Sequence, residues 1–192
     1  MRHGQTFENK VEVVQGHLDS RLSPEGFDQA LRLSELLKDE KFDCAYSSDL
    51  IRAVSTAEVI LYNHDIDLLT SEDLREQAKG VYEGKPRAQM LEDMRRLSQE
   101  WWNFVPQSGE SLSNVWMRVV PFYENLRLRH QYESVLVVSH GGPIACLLSY
   151  LHHDIIENAA NYVPHENCSV SIISGNNGSS YVERLDVGLC LR

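Results

Sequence analysis

The stretch Val135-Leu136-Val137-Val138-Ser139-His140-Gly141-Gly142 joins an apolar, β-branched run to a glycine turn, and a second apolar segment, residues 143–151, follows it. Short β-branched runs bounded by glycine are typical of buried strands, whereas the longer apolar segment has the length of a helix. The stretch therefore predicts a strand, a tight turn and a helix start. Backbone N–H groups at such a helix start favour a bound anion.

The amino-terminal segment carries a second histidine in a similar setting. Met1-Arg2-His3-Gly4-Gln5-Thr6 places arginine, histidine and glycine side by side, and Asn9 and Gln15-Gly16 follow. Arginine offers a rigid fork of donors that matches phosphate oxygens, and a neutral imidazole can attack phosphorus. Glycine allows a close backbone approach. The segment therefore favours phosphate chemistry, although so short a motif is weak evidence when it stands alone.

Strand and helix patterns alternate along the first half of the chain. Ser23-Pro24 predicts a capped helix start. The positions that follow at helical spacing and are expected to face the sheet are Phe27, Ala30, Leu31, Ser34 and Leu37. Residues 42–47 and 66–69 are candidate strands, and Ser48-Asp49 is a candidate cap for the helix between them. This alternation predicts an α/β fold with a largely parallel sheet.

The second half of the chain predicts helices and a final hairpin. Residues 87–104 have helical spacing, with Trp101-Trp102 expected to cover the core or overhang a pocket. Another helix is expected to begin at Ser111 and to be kinked or divided at Pro121. The segments 167–174 and 181–186 alternate and predict an antiparallel hairpin. With no internal repeat in the sequence, we expect a single domain over residues 1–192.

Two further motifs lie between the histidines: Ser47-Ser48-Asp49-Leu50-Ile51-Arg52-Ala53 and Leu74-Arg75-Glu76. Together, two histidines, two arginines and one glutamate in this order resemble the histidine phosphatase superfamily, also called phosphoglycerate mutase-like. The resemblance covers residues 2–186 and implies a three-layer α/β/α sandwich around a mostly parallel sheet. In that family an apolar strand leads into the Arg-His-Gly turn, whereas Met1 alone precedes Arg2 in this sequence. The first strand is thus apparently missing or truncated, which predicts two exposed sheet edges and an unanchored nucleophile.

The resemblance also implies roles for individual residues. His3 is the expected nucleophile that becomes phosphohistidine, and Arg2, Arg52 and His140 are expected to bind the phosphoryl group. Glu76 is the expected general acid, which protonates the leaving alcohol and then activates water. Further positions that match phosphate- or substrate-binding residues of the family are Asn9, Gln15, Gly16 and Gly141. Arg75 is assigned a structural role.

The segment after Glu76 favours the phosphatase branch of the superfamily. It is short and lacks the Arg-His-Tyr-Gly-type motif of the cofactor-dependent mutases. Residues 74–85, together with Ser47-Ser48-Asp49-Leu50, look most similar to the fructose-2,6-bisphosphatase relatives known as TP53-inducible glycolysis and apoptosis regulator. Broad-specificity bacterial-type phosphatases and α-ribazole phosphatases share much of the same pattern. We therefore expect a phosphomonoesterase without metal or organic cofactor, acting on a small phosphorylated metabolite, with a sugar phosphate favoured. Two alternatives remain open: a phosphoglycerate mutase, or a catalytically silent phosphate-binding regulatory protein.

Composition narrows the class of partner. The net charge of −10 argues against a general nucleic-acid or membrane-surface binder. The cysteines are scattered, which favours free thiols in a reducing compartment, and no run has membrane-spanning length, so we expect a cytoplasmic protein. The other histidines show no metal-ligand spacing, so no metal is expected at His17, His64, His130, His152, His153 or His165. The oligomeric state is left open.

Overall fold

A computed structural model describes residues 1–164, 166–176 and 179–187. In chain order its elements are α1 (Phe7–Lys10), α2 (Pro24–Leu37), β1 (Cys44–Ser48), α3 (Ile51–Leu61), β2 (Leu68–Ser71), α4 (Arg87–Arg96), α5 (Leu112–Arg129), β3 (Val135–Val138), α6 (Gly141–Leu151), β4 (Val170–Asn176) and β5 (Ser179–Val187), with short 3-10 helices at Glu72–Leu74, Gly80–Tyr82 and Ile156–Tyr162. In these ranges no helix is long and apolar enough to cross a membrane.

Three strands form a parallel sheet in the order β2–β1–β3. Ala45 of β1 lies opposite Leu68 of β2 on one side and Leu136 of β3 on the other. Parallel neighbours need long crossover connections, which the intervening helices supply. The predicted α/β fold is confirmed, although β1 and β2 each begin two residues later than the sequence pattern indicates.

Helices cover both faces of this sheet. On one face, Ala45 and Val138 pack in a buried cluster with side chains of α2 and α3. On the other face, Tyr46 and Val137 pack with side chains of α5 and α6. Successive residues of a strand point to opposite faces, so the short strands contribute to both clusters. The three-layer α/β/α arrangement is confirmed.

Helix α2 begins where the sequence predicts but presents a different face to the core. The Ser23 hydroxyl oxygen accepts a hydrogen bond from the Gly26 N–H at 3.0 Å, which caps the helix. Phe27 and Leu31 are each 47% exposed, so their predicted inward orientation is wrong. The apolar position that the prediction omits is Leu33, which is completely buried.

Helix α3 begins at Ile51 without a cap from Ser48 or Asp49. The Asp19 carboxylate accepts a hydrogen bond from the Ile51 N–H at 2.7 Å and takes that role from a distant loop. The predicted local cap is therefore wrong, because tertiary structure supplies a better-placed acceptor. The predicted inward residues of this helix, including Ala53 and Ile60, are completely buried.

One prediction about the later helices needs correction, and for another, one of its two alternatives is excluded. The helical pattern of residues 87–104 extends beyond the helix itself, because α4 ends at Arg96 and Ser98 adopts a left-handed φ of 52°. Pro121 does not divide α5, which runs from Leu112 to Arg129. The carboxyl-terminal hairpin is confirmed by the antiparallel pairing of β4 with β5, and residues 177–178 of its predicted turn lie outside the described residues.

Residues 1–3 lie between β3 and the hairpin. The Met1 carbonyl accepts from the Ser139 N–H at 2.9 Å, and the His3 N–H donates to the Ser139 carbonyl at 3.0 Å. On the other side, the Arg2 N–H donates to the Ser169 carbonyl at 3.1 Å. The predicted interruption of the sheet is confirmed, because β4 and β5 form a separate sheet. The predicted loss of anchorage is wrong, since these backbone bonds hold His3 in place.

Beside Met1 lies a cavity of about 1020 Å³. Its lining includes Val135 and Val137 of β3 and Val170 and Ile172 of β4. The Met1 amino group donates to the Val137 carbonyl at 2.7 Å, and burial lowers the pKa of this amine to about 5. The cavity therefore combines apolar walls, two strand edges and a buried amine that prefers to be neutral.

We expect about five apolar residues fused ahead of Met1 to fill this cavity as a further strand. The added strand buries apolar side chains and replaces the amine with a neutral peptide N–H, so the midpoint of thermal unfolding should rise by at least about 5 °C. Circular dichroism melts measure the effect. A fused Gly-Ser segment of the same length is the control, and an equal rise with that segment would contradict the prediction.

Candidate active site

The two predicted histidines meet where the sheet ends. His140 directly follows Ser139 at the carboxyl end of β3 and precedes the first turn of α6. His3 lies beside it, with ring centroids 5.1 Å apart at an interplanar angle of 57°. Both side chains are buried. Ligands of open α/β sheets bind at this carboxyl edge, so the geometry places the pair where a small-molecule site is expected.

A backbone hydrogen bond fixes the tautomer of His3. Its Nδ1 lies 2.7 Å from the Gly4 carbonyl oxygen. Because a carbonyl can only accept, Nδ1 carries the proton and Nε2 keeps the lone pair. Burial, followed by the charges of Arg52 and Arg2, holds the pKa of His3 well below its usual value. The imidazole is therefore neutral at physiological pH, as a nitrogen nucleophile must be.

His140 is also neutral. Burial, with the nearby Arg52 charge as the next cause, holds its pKa well below the usual value. Neither ring nitrogen has a hydrogen-bond partner among the described residues, although both are inaccessible to solvent. Buried polar atoms are nearly always hydrogen-bonded in native proteins. Two such atoms on one ring beside His3 favour a site that receives a polar ligand.

The predicted arginines are anchored by backbone carbonyl groups. Arg52 on α3 is 1% exposed, and its Nη1 and Nη2 donate to the carbonyls of Leu18 at 2.7 Å and Gly16 at 2.8 Å. Burial lowers the Arg52 pKa to about 10, which leaves the guanidinium charged at neutral pH. Arg2 Nη1 donates to the Pro164 carbonyl at 2.9 Å. Gly16 thus supports Arg52 through its carbonyl oxygen.

Glu76 contacts the amino-terminal turn of α6. Its Oε1 accepts hydrogen bonds from the Gln77 N–H at 2.9 Å and the Gly142 N–H at 3.1 Å. A Cβ atom at position 142 would lie 2.4 Å from Oε1, so a side chain at this position would displace the carboxylate. The Glu76 carbonyl accepts from His17 Nε2 at 2.7 Å and Arg118 Nη2 at 3.0 Å. Bonds to its backbone and to its side chain therefore hold Glu76 in place. Its carboxylate contacts Gly142, which lies two residues after His140.

Of the remaining predicted positions, Gly141 lies beside the Glu76 carboxylate, and Asn9 and Gln15 each have a polar group that could bind a ligand. Asn9 Oδ1 accepts from the Thr6 N–H at 3.1 Å in a capping box, which leaves the Asn9 amide NH₂ as the group that can serve a ligand. Gln15 has a buried Oε1 without a partner among the described residues. A Cβ at Gly141 would lie 3.7 Å from Glu76 Oε2, which places Gly141 beside the carboxylate.

The structure adds a group of residues that the motifs do not reveal. Lys79 donates from Nζ to Gln77 Oε1, and the same oxygen accepts from Trp101 Nε1 at 3.0 Å. Burial lowers the pKa of Lys79 to about 8. Trp101 overhangs the site, since its Cζ2 would lie 3.9 Å from a Cβ on Gly142. The one sequence feature that could have pointed to Lys79 is its position three residues after Glu76.

Arg75 has the structural role that the sequence indicates. Its Nε donates to Asp49 Oδ1 at 2.8 Å, and its Nη2 pairs with Asp49 Oδ2. This two-point pair ties the segment before Glu76 to the loop that precedes α3. Arg75 therefore supports the position of the glutamate without facing the histidine pair.

Across residues 1–164, 166–176 and 179–187, no group of three or more His, Cys, Asp or Glu side chains is placed to hold a metal ion. Cys44, Cys146 and Cys168 are free thiols, as the sequence predicts. Burial raises the pKa of both Cys146 and Cys168 to about 12, which makes them poor nucleophiles. Cys190 and His165 lie outside the described residues.

The buried histidines predict a loss of stability in acid. His3 and His140 stay neutral in the folded chain, whereas unfolded histidines take up protons below a pH of about 6.5. The unfolded state then binds more protons, so the free energy of unfolding falls as the pH falls, by up to about 1.4 kcal/mol per pH unit for each histidine. Urea unfolding at pH 6.5 and 5.5 measures this slope.

His140→Asn should reduce the change in the free energy of unfolding per pH unit by about the contribution of one proton, because the variant lacks one neutral buried imidazole. His152→Asn, on an exposed residue after α6, is the matched control and should leave the slope unchanged. An unchanged slope in His140→Asn would contradict the assignment of a neutral, buried His140.

Comparison with known proteins gives consistent matches. The family model described as "Histidine phosphatase superfamily (branch 1)" matches residues 1–187. "Putative phosphoserine phosphatase 2" of Hydrogenobacter thermophilus is 34% identical over 165 residues, which cover 84% of this chain and 81% of that protein. "Fructose-2,6-bisphosphatase TIGAR" of Xenopus tropicalis is 35% identical over 131 residues, 66% of this chain but 48% of that protein. The solved structure "Bacillus stearothermophilus YhfR" superposes with a TM-score of 0.89 at 28% identity, covering 98% of this chain and 96% of that one.

Proposed function

Because the chain belongs to the histidine phosphatase superfamily, we propose that it hydrolyses a small phosphorylated metabolite through a phosphohistidine on His3, with Glu76 as general acid and base. As a member of this family with phosphatase relatives, the chain is a phosphoric monoester hydrolase. The observation that carries the proposed mechanism is the neutral His3, with Nδ1 bonded to the Gly4 carbonyl, beside His140 and the Arg52 charge.

In the first step, the lone pair on His3 Nε2 attacks phosphorus and the ester P–O bond breaks. Glu76 gives its proton to the departing alkoxide oxygen, so that the product leaves as an alcohol. Arg2, Arg52 and His140 bind the equatorial oxygens, whose negative charge must be stabilised in the transition state. The fixed guanidinium of Arg52 suits this task, since its two bonds to backbone carbonyls are already in place before the substrate arrives.

In the second step, water hydrolyses the phosphohistidine. The Glu76 carboxylate takes a proton from water, the water oxygen attacks phosphorus, and the P–N bond breaks. Inorganic phosphate leaves, His3 Nε2 recovers its lone pair, and Glu76 is protonated again for the next cycle. The bonds from Gly142 and Gln77 to Glu76 Oε1 keep one carboxylate in position for both steps.

The proposed substrate is a small phosphorylated metabolite, with a sugar phosphate favoured. The segment after Glu76 supports hydrolysis over transfer, because it is short and lacks the Arg-His-Tyr-Gly-type motif of the cofactor-dependent mutases. Two relatives are named as a fructose-2,6-bisphosphatase and a putative phosphoserine phosphatase, and both names support a small phosphorylated metabolite as the substrate.

A catalytically silent phosphate-binding protein is the second candidate function. The observations that favour it are the separate sheet formed by β4 and β5 and the cavity lined by Met1 and by residues of β3 and β4. Such a protein would bind phosphate through Arg52 and His140 without forming phosphohistidine.

Mass spectrometry after rapid quenching without acid distinguishes these candidates. The intact chain is mixed with a panel of phosphorylated metabolites, and a phosphate adduct on His3 should form and disappear with turnover. Folded protein that yields neither an adduct nor free phosphate would support the silent candidate. Transfer of phosphate between positions of phosphoglycerate, dependent on a bisphosphoglycerate primer, would instead indicate a mutase.

A further inference from the structure

Lys79 carries a charge that the described residues do not neutralise by direct contact. Its Nζ donates to the neutral Gln77 Oε1 and lies 5.9 Å from the centroid of the Trp101 ring. None of the ion pairs within 4 Å among the described residues involves this ammonium. Lys79 is half-buried, and the carboxylates of Glu76, Glu110 and Glu83 act on its charge without forming an ion pair with it. A partly desolvated ammonium that no anion contacts favours an anion that arrives from outside.

Gln77 holds the lysine in a fixed position. Its side chain is completely buried, and its Nε2 donates to the Glu110 carbonyl at 2.8 Å. Its Oε1 accepts from both Trp101 and Lys79. Each side of this amide is therefore bonded, and the ammonium and indole are oriented before any ligand binds.

Gln77 links Lys79 to Glu76, the proposed general acid. The Gln77 N–H bonds to the Glu76 carboxylate at 2.9 Å, and Trp101 overhangs Gly142, which bonds to the same carboxylate. In the proposed reaction Glu76 protonates the leaving oxygen. Side chains grouped around Glu76 therefore contact the organic part of the substrate, whereas Arg52 and the histidine pair contact the phosphoryl group.

We propose that Lys79 is a specificity-determining residue that binds a second anionic group, a carboxylate or another phosphate, on the leaving part of the substrate. This inference rests on the proposed phosphatase function. The ammonium pairs with the second anion while Trp101 covers the carbon chain that joins it to the reacting phosphate. Substrates whose leaving group is an uncharged alcohol lack this contact.

Matched substrates test the proposal with the intact chain. 3-Phosphoglycerate and glycerol 3-phosphate differ by a carboxylate against a hydroxymethyl group, and fructose 1,6-bisphosphate and fructose 6-phosphate differ by a second phosphate. In each pair, Lys79→Met should lower kcat/KM by about 10- to 100-fold on the substrate that carries a second anionic group. On the substrate without that group, kcat/KM should fall less than about threefold. The two pairs separate a carboxylate from a phosphate as the preferred group.

Lys85→Met, on an exposed residue of the same segment, is the control and should leave both substrates unchanged. Lys79→Arg keeps the charge and should retain most of the preference. Equal losses on charged and neutral substrates in Lys79→Met would overturn the proposal. If the folded wild-type chain turns over no substrate, calorimetric binding of the same pairs replaces kinetics. A preference for the anionic member that disappears in Lys79→Met would then support the subsite although the proposed hydrolysis had failed, and no preference would overturn it.

Discussion

His3→Ala is expected to reduce turnover by on the order of 10⁵-fold or more, to the level of residual catalysis by the remaining groups. Without the imidazole no P–N bond can form, and water must attack the ester directly. Arg52 and His140 stay in place, so the variant should still bind inorganic phosphate. Steady-state release of phosphate and calorimetric binding of phosphate measure the two effects separately.

The cost of His3→Ala in stability should be small beside its effect on turnover. The substitution removes the hydrogen bond from Nδ1 to the Gly4 carbonyl, so the free energy of unfolding should fall by about 1 kcal/mol at pH 7.5. His152→Ala, on an exposed histidine, is the control for an unrelated imidazole. If His3→Ala unfolds, His3→Gln keeps more of the buried volume. Turnover retained by a folded variant at position 3 would exclude His3 as the nucleophile.

The parts of the fold that the sequence predicts well are those whose signals are local. β3 and α6 begin where the β-branched run and the glycine turn place them, because the strand, turn and cap all lie within one segment. The capped start of α2 at Ser23 is another such case. His3 and His140, named from two distant motifs, lie side by side, and Glu76 bonds to the turn that follows His140.

The features that the sequence does not reveal depend on contacts between distant segments. Asp19 caps α3 from a loop more than thirty positions upstream, and the carbonyls of Leu18 and Gly16 anchor Arg52. In the sequence, Lys79 has no feature that distinguishes it from an ordinary loop lysine. Only the fold places its ammonium near the ring of Trp101. No periodicity or capping rule encodes such pairs, because each partner is chosen by the packing of the whole fold.

For the amino-terminal segment, one prediction from the sequence is correct and another is wrong. The sequence predicts an interrupted sheet, and β4 and β5 do form a sheet of their own. It wrongly predicts an unanchored nucleophile, since backbone bonds to Ser139 and from Cys168 hold His3 on two sides. The length of a strand can be predicted from a sequence. The number of distant segments that form hydrogen bonds with a short segment cannot.

Glu76→Gln is expected to slow the hydrolysis of alkyl phosphates by about 10²- to 10⁴-fold, because an amide cannot supply a proton to an alkoxide leaving group. p-Nitrophenyl phosphate should lose far less in the first step, since its leaving group departs without protonation. The glutamine keeps an oxygen that can accept from the Gly142 N–H, now 3.1 Å from Glu76 Oε1, so the geometry of the site should survive. Rates on both substrates, measured side by side, give the difference.

The same variant tests the second half of the reaction. Hydrolysis of the phosphohistidine also needs the Glu76 carboxylate, so a burst of p-nitrophenol followed by slow turnover is expected, with the adduct accumulating on His3. Glu72→Gln, four residues upstream and exposed, is the control and should behave as wild type. Equal losses on alkyl and aryl esters without a burst would mean that Glu76 only positions the substrate. A large loss on alkyl esters together with a burst on the aryl ester requires one group that first gives a proton and then takes one. The Glu76 carboxylate, which bonds to the first turn of α6 two residues after His140, is the group proposed for both steps.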